Sequence, residues 1–171
     1  LRSVATGHGF QFIRVSSDRP GVAWNAGLVS HTDAPFALCI DAGDVLAPDA
    51  LWHLRHALAG APDSGFATPG MEWVGPGTSR SITGPHGGTP ARILVDTHQV
   101  HASSLFRVSL WSSGLTFDEQ LPALEHADFW IRISLNASGG PVPEACVRRL
   151  VHARALYKAP WGTAAYQTAA Q

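Results

Sequence analysis

Residues 36–54, FALCIDAGDVLAPDALWHL, decide the fold class. The apolar run from Phe36 to Ala42 lacks period-two alternation, as a strand covered on both faces would. Periodicity alone leaves a buried helix open, but the short length and Gly43 favour a strand. The run closes on two aspartates, Asp41 and Asp44, and a helix start follows. Pro48 suits a first helical turn, Asp49 complements the helix dipole, Leu51, Leu54 and Leu58 form one apolar face, and Gly60 suits the C-terminal cap. In α/β sheets ligands bind beyond the carboxyl ends of the strands, so paired carboxylates there are candidates for a hard cation. Alternatively, Asp44 caps a turn and Asp41 satisfies backbone amides.

The flanking sequence alternates strand and helix patterns. QFIRV (11–15) is a strand candidate, and RPGVAWNAGLVSHT (19–32) has helical spacing of Val22, Ala26 and Val29 behind a Pro-Gly opening. GFATP (65–69) predicts a strand, whereas MEWVGPGTSRSITGPHGGTPAR (71–92) is rich in Gly, Pro, Ser and Thr without a period and predicts a long loop. RILVDTHQV (92–100) has strand character, SLFRVSLWSSG (104–114) suggests a short helix ended by Gly114, and ALEHADFWIRISLNASGG (123–140) a longer one ended by Gly139 and Gly140. VPEACVRRLVHARALY (142–157) adds a strand or strand-helix piece. Together these predict an α/β sandwich with a largely parallel or mixed sheet. There is no Gly-x-Gly-x-x-Gly fingerprint, Walker loop or Gly-x-Ser-x-Gly elbow.

With 171 residues, 45% of them hydrophobic, the chain has the apolar content for one globular core. Twelve basic against thirteen acidic residues give no electrostatic ground for nucleic acid as a partner. Cys39 and Cys146 have neither disulfide-framework nor metal-ligand spacing and fit reduced thiols. No apolar run approaches the ~20 residues of a membrane span. A cytoplasmic setting is the resulting expectation.

Two longer stretches share an ordered set of motifs with one family. GVAWNAGLVSHTDAPFALCIDAGDVLAPDAL (21–51) resembles the segment of family-2 glycosyltransferases that reads Gly-x-Ala-x-Arg-Asn-x-Gly, a strand ending Leu-Asp-Ala-Asp-Asp, then x-Leu-x-Pro-x-x-Leu. HASSLFRVSLWSSGLTFDEQLPALEHADFWIRIS (101–134) is similar to the stretch with Ser-x-x-x-Arg, Gly-x-Phe-Asp-Glu and Glu-Asp-x-Asp-Leu-Trp-Leu-Arg. The matching pieces run from about residue 11 to 152. The resemblance implies a GT-A-like (Rossmann-like) sandwich over residues 1–153, with 154–171 as a tail or linker. It implies transfer of a sugar from a nucleoside-diphosphate sugar to a saccharide or other acceptor hydroxyl, with inversion. Mn2+ or Mg2+ on Asp41 and Asp44 would neutralise the departing diphosphate, and a carboxylate or imidazole would take the acceptor proton. By the same resemblance Glu125, His126 and Asp128 are candidate catalytic residues, and Asn25, Asp41, Trp73 and Arg132 candidate substrate-binding residues.

The departures from the family pattern are specific. Gly43 stands where the metal motif has its middle aspartate, His126 where the Glu-Asp pair has its aspartate, and Trp24 where an arginine precedes Asn25. By this resemblance QFIRV aligns with the family's third strand, which implies that the first two strands, with their Pro-x-x-Asn and Asp-x-Ser, are not among these residues and that the domain as given is N-terminally incomplete. A segment preceding Leu1 is expected. A degenerate GT-A-like domain serving as a scaffold or partner-binding module is the alternative function. His53 and His56, like His98 and His101, share a three-residue spacing but lack partner cysteines for zinc. Trp52 and Trp130 fit helix packing, and Trp73 in the Gly/Pro-rich stretch fits an acceptor platform. Arg107 fits either a phosphate contact or an arginine whose stem packs on a helix.

Overall fold

The computed structural model describes residues 10–75, 78–82, 100, 102–122 and 124–150. His98, His101, residues 92–99 of an expected strand, the side chain of Trp73 and the tail at 154–171 lie outside the described residues. In chain order the elements are α1 (Pro20–Val29), β1 (Phe36–Leu38), β2 (Asp44–Leu46), α2 (Ala50–Gly60), β3 (Ser64–Gly75), β4 (Thr78–Ile82), β5 (Leu105–Arg107), α3 (Val108–Ser112), α4 (Glu125–Asn136) and β6 (Ser138–Leu150). The six strands form one sheet in the order β1-β5-β3-β6-β2, with β4 on β3.

The sheet is mixed, and antiparallel pairing dominates it. Only β3 and β6 run parallel, while β1–β5, β2–β6, β3–β4 and β3–β5 are antiparallel. The expected strand over 36–42 shortens to Phe36–Leu38, because β5 offers partners only to those three residues. Residues 11–15 form no strand, and Phe12 and Ile13 are exposed. An alternating apolar pattern becomes a strand only where a neighbour completes its ladder. The loop expected over 71–92 is corrected in its first part: β3 continues through Gly75 and pairs with β4, with Met71 opposite Ile82 and Gly75 opposite Thr78. Threonine, serine and isoleucine on β4 tolerate a pleated surface, so Gly/Pro content misled here.

Alternation along the strands covers both faces. Phe66 and Phe106 point to one face, where they meet Leu28 of α1, Trp111 of α3 and Phe129, Trp130 and Ile133 of α4. Their chain neighbours Ala67 and Leu105 point to the other, where Ala50, Leu54 and Leu58 of α2 pack with Val142 and Ala145. The face of α2 therefore starts at Ala50, and Leu51, expected inside, is half exposed; the steps 50, 54 and 58 follow the four-residue ridge. The α4 helix stops at Asn136 instead of at the two glycines. Gly139 lies in β6 against the Phe66 ring, which a Cβ would approach to 2.5 Å. It is a close-packing glycine in a strand.

Candidate functional site

The two aspartates are set by a turn. Asp44 N–H donates to Asp41 O at 3.0 Å, and Gly43 at the third position has φ +99°. That conformation is the one a type II turn reserves for glycine. The residue that departs from the family motif is thus the residue the turn requires. The turn aims Asp41 and Asp44 at the same point, and β2 begins at Asp44.

Directly across the ladder from Asp44 stands Arg149 of β6. Its Nε donates to Asp44 Oδ1 at 2.9 Å and Oδ2 at 3.2 Å, and its Nη2 donates to Asp44 Oδ2 at 2.5 Å and Asp41 Oδ2 at 2.9 Å. Ser103, fully buried, donates to Asp44 Oδ2 at 3.4 Å. The Asp44 side chain is only 3% exposed, against 43% for Asp41 and 25% for Arg149. A dry carboxylate requires a partner, and the planar fork of a guanidinium matches two oxygens at once. Removing the guanidinium alone would strand Asp44 at a cost of about 3–5 kcal/mol. Arg148, one residue earlier and on the other face of β6, donates instead to Glu72 at 2.8 Å. The row across the sheet at this level is Asp44, Arg149, Trp73 and Arg80.

The start of α4 supplies the other half of the site. Leu124, just before it, has φ +66°, the only positive φ at a non-glycine among the described residues. Such strain is worth about 1 kcal/mol or more, and it sets the direction in which Glu125 and His126 enter the helix. Glu125 is buried, and its Oε1 lies 3.8 Å from His126 Nε2. The imidazole packs edge-on against Trp24 and Phe117, with ring centroids 5.3 and 5.5 Å away. Burial is the main influence and lowers the His126 pKa below its ordinary 6.5; Asp41 and Glu125 oppose that shift, and Arg149 adds to it. His126 therefore lies within electrostatic reach of the Asp41–Arg149 pair. Two departures from the family pattern, Trp24 and His126, touch each other. Trp24 Nε1 and His126 Nδ1 are both buried and have no hydrogen-bond partner among the described residues.

The other expected site residues sit elsewhere. Asp128 is about 200° round the helix from His126. It pairs with Arg132, whose Nε donates to its Oδ2 at 2.9 Å and whose Nη2 does so as well. Both line an open groove together with Val22, Asn25, Ala26 and Val29 of α1 and residues 116–120. The apolar spacing of α1 thus faces this groove. Asn25 is a clamp: its Nδ2 donates to Phe117 O at 2.9 Å and Glu119 Oε1 at 3.0 Å, and its Oδ1 accepts from Trp111 Nε1 at 3.1 Å and Phe117 N–H at 3.0 Å. Arg107 is another clamp, donating to Ser64 O, Leu58 O and Ala61 O, where it closes the C-terminal end of α2.

Sequence reasoning missed Arg149 and Ser103. Ser103 opens the Ser-x-x-x-Arg stretch, and the Arg148-Arg149 doublet follows the apolar Ala-Cys-Val run of a strand candidate, so strand alternation turns one of the two arginines inward. As for a metal, no group of three or more His, Cys, Asp or Glu that could hold one exists among the described residues. Arg149 occupies both oxygens of Asp44 and one of Asp41, so a Mn2+ or Mg2+ ion held by both carboxylates would compete with its guanidinium. No helix among the described residues is long and apolar enough to cross a membrane.

No protein-family model matches the chain, and no curated protein matches it in sequence. The crystal structure of S. aureus TarS 1–349 superposes with a TM-score of 0.61 and 22% identity over 81% of this chain. The chain spans 42% of that TarS chain, and the likeness is one of fold.

Proposed function

We propose that the domain transfers a sugar from a nucleoside-diphosphate sugar to an acceptor hydroxyl with inversion. The observation that carries this reading is a buried His126, 3.8 Å from Glu125 and under the electrostatic influence of Asp41 and Arg149, in a fold similar to that of TarS, a glycosyltransferase. Inversion at the anomeric carbon needs a base on the face opposite the leaving group. His126, kept neutral by burial, is available as that base at neutral pH. Once it has taken the acceptor proton, the imidazolium is stabilised by Glu125 and Asp41, the two groups that raise its pKa. Arg149 offsets one of the two aspartate charges at the end of the site where a diphosphate would depart. The acceptor is a saccharide or another hydroxyl compound, with Trp73 as its platform. Unbonded Cys39 and Cys146 fit a reducing, cytoplasmic setting.

A second reading, a scaffold that keeps the fold without the reaction, is favoured by the full engagement of Asn25 and Asp44 by protein groups. Calorimetric titration with UDP and GDP, followed by product assay of the nucleotide-sugar that binds, separates the two. The transferase reading expects binding, and a His126→Ala rate lower by about 100-fold or more. Absence of binding by both nucleotides, or a His126→Ala variant at full rate, refutes it.

A further inference from the structure

The family resemblance puts a divalent cation on Asp41 and Asp44, yet the donor set here does not fit one. Both carboxylates accept hydrogen bonds from one guanidinium, and no third acidic, histidine or cysteine ligand joins them among the described residues. We propose that Arg149 is the resident cation of this site: the aspartate pair seats its guanidinium and takes up no divalent metal. Resting on the transferase reading, the corollary is that any nucleoside diphosphate bound here is bound without metal.

Three independent features support the assignment. Backbone register places Arg149 opposite Asp44, so the contact is fixed by the β2–β6 ladder and not by a wandering side chain. The turn that presents both carboxylates demands glycine at its third position, where φ is +99° and where the family has its middle aspartate. The position that would carry a further carboxylate is thus taken by the turn glycine, and the charge facing the two aspartates is that of Arg149. Third, the Asp44 side chain is 3% exposed with buried Ser103 beside it. Mg2+ demands near-octahedral oxygen coordination and keeps several waters, whereas a guanidinium bonds two carboxylates in a plane without them. The trio of two carboxylates and one guanidinium retains one formal negative charge, so the site neutralises a diphosphate less than a metal-loaded pair would.

The test titrates Mn2+ into the wild-type chain, Arg149→Gln and Asp44→Asn, reading free Mn2+ by electron paramagnetic resonance, with no nucleotide present. Wild type and Asp44→Asn are expected to leave the Mn2+ signal equally unattenuated up to about millimolar concentration. Arg149→Gln should bind Mn2+ at least about tenfold more tightly than wild type, and Mn2+ should raise its melting temperature back toward that of wild type. Stoichiometric Mn2+ uptake by wild type that Asp44→Asn abolishes overturns the proposal. So does a folded Arg149→Gln that gains no Mn2+ affinity. If Arg149→Gln fails to fold, the comparison of wild type with Asp44→Asn decides alone. UDP and GDP affinities should be equal in EDTA and in Mn2+, and a rise of about tenfold with Mn2+ would also overturn it. Failure of both nucleotides to bind sinks the transferase reading, while the Mn2+ titration still decides the role of Arg149.

Discussion

Replacing Asn25 with alanine tests whether this residue serves the fold or a substrate. Its amide makes four hydrogen bonds, two as donor to Phe117 O and Glu119 Oε1 and two as acceptor from Trp111 Nε1 and Phe117 N–H. Phe117 and Trp111 are 2% and 8% exposed, so truncation strands two buried donors and one buried acceptor. The bond to exposed Glu119 contributes little. Water in the adjoining groove reaches part of the vacated space, so each stranded group costs about 1 kcal/mol, the low end for a buried polar group, and the sum is about 3 kcal/mol. For a chain of this size each kcal/mol lowers the melting temperature by about 2–4 °C, which predicts a drop of about 6–12 °C. Urea unfolding followed by tryptophan fluorescence should show the same loss as a lower midpoint with unchanged slope. Asn25→Asp keeps the acceptor but sets a carboxylate oxygen against Phe117 O and Glu119, so it should be destabilised as well. A melting temperature of Asn25→Ala equal to wild type would refute the clamp.

Other outcomes follow from the same geometry. The His126 pKa is below 6.5 in the folded chain, so between its folded and unfolded values the unfolded chain binds more protons. Stability is then full above about pH 6.5 and falls as pH drops through that window; the urea midpoint should fall with it, and His126→Gln should flatten the dependence. Gly43→Ala forces a side chain into φ +99° and should cost about 1–2 kcal/mol in thermal unfolding; an unchanged midpoint would mean the turn is not as described. The Cys39 thiol is pushed up to about 12, chiefly by burial, so alkylation at mildly alkaline pH should label half-buried Cys146 and spare Cys39 until urea unfolds the chain. Labelling of both thiols at equal rates would contradict that burial.

The legible part of this chain was local. A Pro-Gly opening, a helix after the aspartates and a longer helix within 123–140 are each written in a few neighbouring residues, and all three form, the last as Glu125–Asn136. What escaped depends on pairing between distant segments. Nothing near Arg149 tells which of two adjacent arginines faces Asp44, because that choice is made by strand alternation and by a register spanning 105 residues of separation. Asn25 was legible as a polar residue of interest, but its partners on the segment around Phe117 lie 92 residues away. Gly139 and Gly140 look like helix terminators when read beside α4, and only the Phe66 ring on β3 explains why a strand needs a glycine there.

The place of β6 in the sheet also dictates when the site can come into being. It lies between β3 and β2, and β2 has no other strand partner among the described residues. During synthesis the turn at 41–44 emerges long before Arg149, so Asp44 waits in water, hydrated and without its guanidinium. Long-range pairings of this kind close late and slow the folding of the chains that rely on them. Completion of the sheet and assembly of the charged trio are consequently one kinetic event. A nascent chain halted before β6 would carry both aspartates and the start of α4, but not the guanidinium that joins the two carboxylates.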